Sequence, residues 1–68
     1  MNLTEADARV FLTEGLLSAD IEEHEEAIEN YDKALEIVQS VEIYLNKGVS
    51  LAELERFEEA LECYDKAT

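Results

Sequence analysis

The sequence predicts an all-α fold made of two tandem antiparallel helical hairpins, with four helices in all. The first observation behind this prediction is an internal repeat. Residues 25–34, EEAIENYDKA, return as residues 58–67, EEALECYDKA, with eight of ten positions identical at a spacing of 33. The second observation is that apolar residues within each copy recur with the period of an α-helix. Because a fixed period of this size is typical of stacked repeat units, each copy is expected to be one hairpin.

The repeat extends toward the N-terminus in the same register. The chain is therefore expected to be a single domain of residues 1–68, with a first unit at about 8–40 and a second, truncated unit at about 41–68. The earlier residues that pair at the same spacing are Val10 with Ile43, Phe11 with Tyr44, Leu12 with Leu45, Gly15 with Gly48, Leu16 with Val49, Ala19 with Ala52, and Ile21 with Leu54.

The first helix is predicted over residues 5–20. Thr4, with Asp7 three residues later, resembles a capping arrangement, and Glu5 lies in the first turn, where the helix dipole favours negative charge. After a short break, a second and amphipathic helix is predicted over residues 24–37. One side of this helix carries, at helical spacing, Ala27, Ile28, Tyr31, Ala34 and Leu35.

The second hairpin repeats this arrangement. Its first helix is predicted over residues 41–53, where Ser40 can act as the N-cap. A break near Glu55 separates it from the last helix, which is predicted over residues 57–67 and repeats the amphipathic pattern of the second helix.

Charge and composition exclude several classes of function. Eighteen acidic residues against five basic ones give a formal net charge of -13, which opposes binding to nucleic acid or to an anionic membrane surface. The 47% hydrophobic content indicates a folded chain, yet no apolar run approaches the roughly 20 residues of a membrane-spanning helix. Because no signal peptide is visible and Cys63 is the only cysteine, a reducing, cytoplasmic location is expected.

No catalytic, cofactor-binding or metal site is predicted, and the protein is not expected to be an enzyme. His24 lies among acidic residues that could ligate a metal, but its repeat counterpart is Phe57, so a half-buried ring at the hairpin turn is expected. Cys63 has no basic neighbour in sequence apart from Lys66, so nothing predicts a reactive thiol. The many carboxylates are interpreted as solvated helix faces.

The repeated unit resembles the tetratricopeptide repeat, a family with about 34 residues per unit, a glycine in the first helix and a small–aromatic–small series in the second. The glycine is matched by Gly15 and Gly48, and the aromatic residue four positions earlier by Phe11 and Tyr44. The resemblance implies a short right-handed α-solenoid, in which the glycine lets two helices approach closely. The series is matched by Ala27, Tyr31 and Ala34, and again by Ala60, Tyr64 and Ala67.

Charged residues depart from the family pattern at two kinds of position. Glu14 and Lys47 stand where the family usually carries leucine; they either form an ion pair between the repeats or are solvated independently, and we expect the latter. Glu22 and Glu55 stand where a glycine often takes the left-handed conformation, which costs another residue about 1 kcal/mol. The link at 39–40 is one residue short and has no proline, which leaves the angle between the hairpins open.

In the family, the first helices of successive hairpins line a concave groove that binds a peptide or helix of a partner protein. The resemblance therefore implies a protein-binding module, and the apolar and acidic residues of the implied groove favour a basic and apolar ligand. The alternative is that its apolar residues are buried between helices or against another repeat. A carboxylate clamp, as in chaperone-binding members, is not expected, because leucines stand where polar or basic groups would be needed. The implied groove residues are Arg9, Leu12, Thr13, Leu16, Asp20, Glu42, Leu45, Asn46, Val49 and Glu53.

Two repeats without a polar terminal helix leave two explanations open. In the first, which we expect, the chain is part of a longer array. In the second, it is a structural homo-oligomer that self-associates through its uncapped C-terminal helix. In the array, the next repeat would cover Leu54, Leu61, Cys63 and Tyr64.

Overall fold

The structure, a computed structural model, describes residues 2–68, and Met1 lies outside the described residues. The described residues contain no strand and form four helices: α1 (Glu5–Asp20), α2 (His24–Ile37), α3 (Val41–Glu53) and α4 (Phe57–Ala67). The all-α prediction is confirmed, and the observed helices have the predicted bounds. Each helix packs against the next one along the chain, and α1 also contacts α3, so two hairpins stack as a short solenoid.

Side-chain caps begin the first helix of each hairpin. The Thr4 hydroxyl accepts a hydrogen bond from the Asp7 amide at 3.4 Å, and the Asp7 carboxylate accepts one from the Thr4 amide at 2.8 Å. This reciprocal pair is a capping box, which satisfies two amide groups that the helix leaves unpaired. Ser40 caps α3 by accepting from the Ile43 amide at 3.5 Å. The predicted capping residues are therefore confirmed.

Both hairpin turns have the same left-handed geometry. Glu22 has φ of 63° and Glu55 has φ of 61°, as the glycine-like positions in the sequence predict. The amide of Glu22 donates to the Ala19 carbonyl at 2.9 Å, and the amide of Glu23 donates to the Ser18 carbonyl at 2.8 Å. This pair of bonds is the Schellman motif, which satisfies the last carbonyls of α1, and the same pair closes α3.

A glycine–tyrosine contact holds each hairpin together. A Cβ atom placed on Gly15 would lie 2.5 Å from Cε1 of Tyr31, and one placed on Gly48 would lie 2.6 Å from Cε1 of Tyr64. Such distances are far below van der Waals contact, so each ring occupies the space that a side chain would need. The close approach of the two helices therefore depends on the missing Cβ.

The core consists of two clusters that interlock the hairpins. Ile43 of α3 joins the buried residues of the first hairpin, and Ile28 of α2 joins those of the second. Each hairpin thus contributes one isoleucine to the other's core, which couples two units that are individually too small to bury a core. The first cluster contains Ala8, Leu12, Ala27, Tyr31, Ala34 and Ile43, and the second contains Ile28, Leu51, Ala60 and Cys63.

Candidate functional site

An open depression lies between the C-terminal halves of α1 and α3, which run side by side. It has a volume of about 280 Å³. Its position follows from the stacking of the hairpins, which brings the same helical face of both first helices to one side of the molecule. This depression is called the acidic groove from here on. Five of the ten predicted groove residues line it: Leu16, Asp20, Asn46, Val49 and Glu53. The other lining residues are Ala19, Glu22, His24, Tyr31 and Ser50.

The walls of the acidic groove combine apolar and acidic side chains. Leu16 and Val49 occupy equivalent positions of the two repeats and are both exposed, so they face solvent as a pair. The carboxylates of Asp20 and Glu53, also repeat equivalents, stand at one end of this pair, and Glu22 adds a third acid. The groove therefore has an apolar strip, Leu16 and Val49, with carboxylates along one edge.

No lysine or arginine of residues 2–68 lines the acidic groove. Lys47 is engaged with Asp32 and Arg56 with Glu59, each in an ion pair outside the groove. The remaining two lysines lie over aromatic rings outside the groove: Lys33 is 5.7 Å from the centre of the Phe11 ring, and Lys66 is 5.8 Å from that of Tyr44. The carboxylates of the groove therefore have no lysine or arginine beside them in the described residues.

Polar groups form the floor of the acidic groove. Nδ1 of His24 lies 3.2 Å from the hydroxyl of Ser50, within hydrogen-bonding distance, and this contact joins the start of α2 to α3. The ring of Tyr31 is buried against Gly15, and Tyr31 also lines the groove. Burial raises the pKa of Tyr31, and the nearby carboxylate of Asp20 raises it further, so the phenol keeps its proton.

Sequence reasoning missed this floor, although a signal for it exists in the repeat. The counterparts of His24 and Ser50 in the other repeat are Phe57 and Leu17, so both positions change from apolar to polar together where the two hairpins meet. The expected half-buried ring of His24 at the hairpin turn is confirmed, but its hydrogen bond across the repeats was not foreseen.

The other predicted groove residues lie outside the acidic groove. A second depression of about 290 Å³ at the N-terminal ends of α1 and α3 is lined by Arg9, Leu12 and Glu42, and Thr13 lies with Arg9 on an adjoining surface. Leu45 lines neither depression, although its side chain is exposed. The structure thus divides the predicted residues between two depressions instead of one continuous groove.

Leu12 corrects the sequence interpretation. It was expected to be presented to a ligand, but it is 9% exposed, because α3 places Ile43 against it in the core of the first hairpin. Its repeat counterpart Leu45 is 44% exposed, since α3 carries no further helix on the equivalent side. The alternative of burial therefore holds for Leu12, whereas Leu16, Leu45 and Val49 are exposed.

Lys47 corrects a second expectation. Its Nζ lies 2.6 Å from a carboxylate oxygen of Asp32, so it is neither paired with Glu14 nor independently solvated. Partial burial lowers the pKa of Lys47, but the hydrogen bond and the charge of Asp32, with smaller contributions from Cys63 and Glu59, outweigh this, and the pKa is raised. Glu14 remains exposed on α1.

Cys63 is a packing residue of the second hairpin. It is buried within the present two repeats, so the expectation that it awaits cover from a further repeat is wrong. Burial raises the pKa of the thiol, and Asp32 adds to this, while Lys47 partly opposes it. A raised pKa disfavours the nucleophilic thiolate. Within residues 2–68, no group of three or more His, Cys, Asp and Glu side chains is arranged to hold a metal ion.

Comparison with protein families places one repeat in each helical hairpin. Two family models, both described as tetratricopeptide repeat, match the chain, one at residues 8–37 and the other at residues 41–68. No curated protein and no solved structure is significantly similar to the chain. In the described part of the chain, no helix has both the length and the apolar character needed to cross a membrane.

Proposed function

Because the chain belongs to the tetratricopeptide repeat family, whose repeats generally mediate interactions between proteins, we propose that it binds a partner protein through the acidic groove. The ligand is a peptide or helix that combines apolar side chains with lysine or arginine. The apolar side chains contact Leu16 and Val49, and the basic ones approach Asp20 and Glu53.

The observation that carries this proposal is an exposed apolar pair bordered by carboxylates, with no lysine or arginine of the described residues in the groove. Exposed apolar side chains gain free energy when a ligand removes them from water. Unpaired carboxylates attract basic side chains and raise the rate of encounter at low ionic strength. Together they favour a ligand in which both kinds of group lie close in sequence.

The test is a titration of the folded chain with two designed peptides, followed by backbone amide shifts. The first peptide alternates leucine with lysine and arginine at helical spacing, and the second has the same apolar residues with glutamate in place of the basic ones. The proposal expects the basic peptide to shift the amides of Leu16, Asn46 and Val49 together, and the acidic peptide to leave them unchanged. Equal shifts with both peptides, or shifts elsewhere only, would refute it.

A second candidate function is suggested by α4. Phe57 and Leu61 on this helix are exposed, which suits a structural protein that self-associates through its C-terminal helix. In that case the molar mass rises with protein concentration. A monomer at all concentrations eliminates this candidate.

A further inference from the structure

The contact between the two hairpins supplies a template for what the exposed ends of the stack can bind. Across it, Asp32 forms an ion pair with Lys47 at 2.6 Å, and His24 lies 3.2 Å from the Ser50 hydroxyl. Ile43 is inserted into the core of the first hairpin. One apolar insertion, one opposite-charge pair and one polar pair therefore set the register of α3 on the first hairpin.

The internal repeat places equivalent residues on both outer surfaces. On α4, Phe57, Leu61 and Asp65 are the counterparts of His24, Ile28 and Asp32 at the spacing of 33, and they are called the C-terminal end face. Leu61 is 61% exposed, whereas its counterpart Ile28 is 7% exposed because the second hairpin covers it. The C-terminal end face is thus the same surface without its cover.

On α1, the counterparts of Ile43, Lys47 and Ser50, the residues of α3 that contact the first hairpin, are Val10, Glu14 and Leu17. These three are called the N-terminal end face. All three are exposed, whereas their counterparts Ile43 and Ser50 are almost fully buried. The apolar residues of the N-terminal end face therefore resemble those of α3. By apolar character alone, the N-terminal end face of a second copy could pack on the C-terminal end face.

The charges of a second copy do not fit. Stacking two copies in the register of the internal contact would place Glu14 of one copy against Asp65 of the other, where the internal contact has Lys47 against Asp32. It would also place Glu23 near Glu58, where the internal contact has Arg56 near Glu25 at 3.9 Å. Both opposite-charge pairs become acid–acid pairs, which repel.

We propose that the C-terminal end face binds an amphipathic helix of a partner that carries a lysine between two apolar or small residues, and that Glu14 prevents a second copy from taking this place. The required pattern is that of α3: an apolar residue, a lysine four positions later and a small or apolar residue three positions after that, as in Ile43, Lys47 and Ser50. The lysine pairs with Asp65, and the helix covers Leu61 as α3 covers Ile28. Its first apolar residue packs toward Leu45 and Tyr64, the counterparts of two residues in the cluster that Ile43 joins.

This arrangement has a physical rationale. A contact that repeats head to tail between identical molecules generates an open filament unless its rotation closes a ring. An acid at position 14 keeps the apolar C-terminal end face available to a basic partner while disfavouring such a filament. The high net negative charge of the chain acts in the same direction, but it lacks the positional selectivity of the pair between Glu14 and Asp65.

The test is a charge-reversal cycle measured by sedimentation equilibrium over a wide range of protein concentration. Four proteins are compared: wild type, Glu14→Lys, Asp65→Lys and the double variant. The Glu14→Lys chain carries the required lysine on its own N-terminal end face and so serves as the partner. Each single variant is expected to self-associate at least about tenfold more tightly than wild type, because the acid–acid pair becomes an opposite-charge pair. The double variant restores repulsion and is expected to match wild type.

Two controls separate this result from a general effect of charge. The double variant is the least negative of the four proteins, so its association would be the strongest if net charge alone decided the outcome. Glu29→Lys makes the same charge change at an exposed position of α2, a helix that carries neither end face, and is expected to leave the mass at that of wild type. Circular dichroism establishes that each variant is helical.

A further variant locates the contact. In the Glu14→Lys chain, Leu61→Asp is expected to abolish association, since Leu61 is exposed and its replacement does not disturb the core. The proposal is overturned if the single variants associate no more tightly than wild type, if the double variant associates as they do, or if Leu61→Asp has no effect on the association.

Discussion

The ammonium group of Lys47 lies 2.6 Å from the carboxylate of Asp32 and joins the second hairpin to the first. The side chain of Lys47 is 24% exposed and that of Asp32 is 49% exposed, so the pair lies at the boundary between interior and solvent. The pair links α2 to α3, and its repeat equivalents are the residues from which we propose the charge preference of the exposed ends.

Replacing Asp32 tests the contribution of this pair to stability. Asp32→Asn is expected to lower the free energy of unfolding by about 0.5 kcal/mol, since half-exposed ion pairs contribute modestly. The matched control is Asp65→Asn, which makes the same change at the repeat equivalent. Within residues 2–68 the Asp65 carboxylate forms no ion pair, so this variant should leave the free energy of unfolding unchanged or raise it. Urea unfolding followed by circular dichroism measures both. Equal losses in the two variants would contradict the role given to Lys47.

The glycine–tyrosine contacts predict unequal effects of alanine. Gly15→Ala is expected to lower the free energy of unfolding by about 1–3 kcal/mol, because the added methyl group overlaps the buried ring of Tyr31. Gly48→Ala should cost less. The ring of Tyr64 is only partly buried and can move, and alanine favours the helix by up to about 1 kcal/mol. If thermal unfolding ranks the two variants in the opposite order, the packing argument is wrong.

The left-handed turns predict stabilising substitutions. Glu22→Gly and Glu55→Gly are each expected to raise the free energy of unfolding by about 0.5–1 kcal/mol, since glycine adopts positive φ without the steric cost that glutamate bears. Glu29→Gly, within α2, is the control and should lower it by about 1 kcal/mol. Chemical unfolding of the three variants checks the sign, and a loss of stability at positions 22 and 55 would contradict the strain argument.

Alkaline pH is expected to destabilise the fold. The pKa values of Cys63, Tyr31 and Lys47 are all raised, so the folded chain holds these protons more tightly than the unfolded chain does. Their contribution to stability is fully present below the ordinary pKa values and is lost as pH rises through the raised ones, from about pH 9 upward.

Melting temperatures measured between neutral pH and about pH 11 test this expectation. Tyr31→Phe keeps the ring against Gly15 but removes the phenol, so this variant should lose less stability than wild type over the upper part of the range. A melting temperature that stays constant or rises above pH 9 would show that these three groups do not govern the alkaline response.

The helices and turns could be predicted from sequence because their determinants are local. A cap such as Thr4 acts within one turn of chain, and the apolar period of α2 lies within a single helix. The repeat presents each of these local patterns twice. The left-handed residues Glu22 and Glu55 could be located because the repeat places them at equivalent sites after each first helix.

The contents of the site were less predictable because they depend on how the hairpins stack. Leu12 and Leu45 are equivalent in the repeat, yet only Leu12 is covered by a following helix. The partner of Lys47 lies on α2, and its identity depends on the rotation of one hairpin against the other, which no periodic pattern encodes. The contact between His24 and Ser50 arises in the same way.

The central claim, that the acidic groove binds a basic and apolar segment, is tested most directly by a matched pair of valine substitutions. Val49 in the groove is 52% exposed and Val10 on the opposite side of α1 is 54% exposed, so aspartate at either position should leave the fold intact. Affinity for the basic peptide is measured by calorimetry on wild type, Val49→Asp and Val10→Asp. We expect Val49→Asp to weaken binding about tenfold or more, because a buried apolar contact is replaced by a carboxylate that must be desolvated, and Val10→Asp to bind as wild type. Equal affinity of all three proteins, or a loss confined to Val10→Asp, would contradict the assignment of the groove.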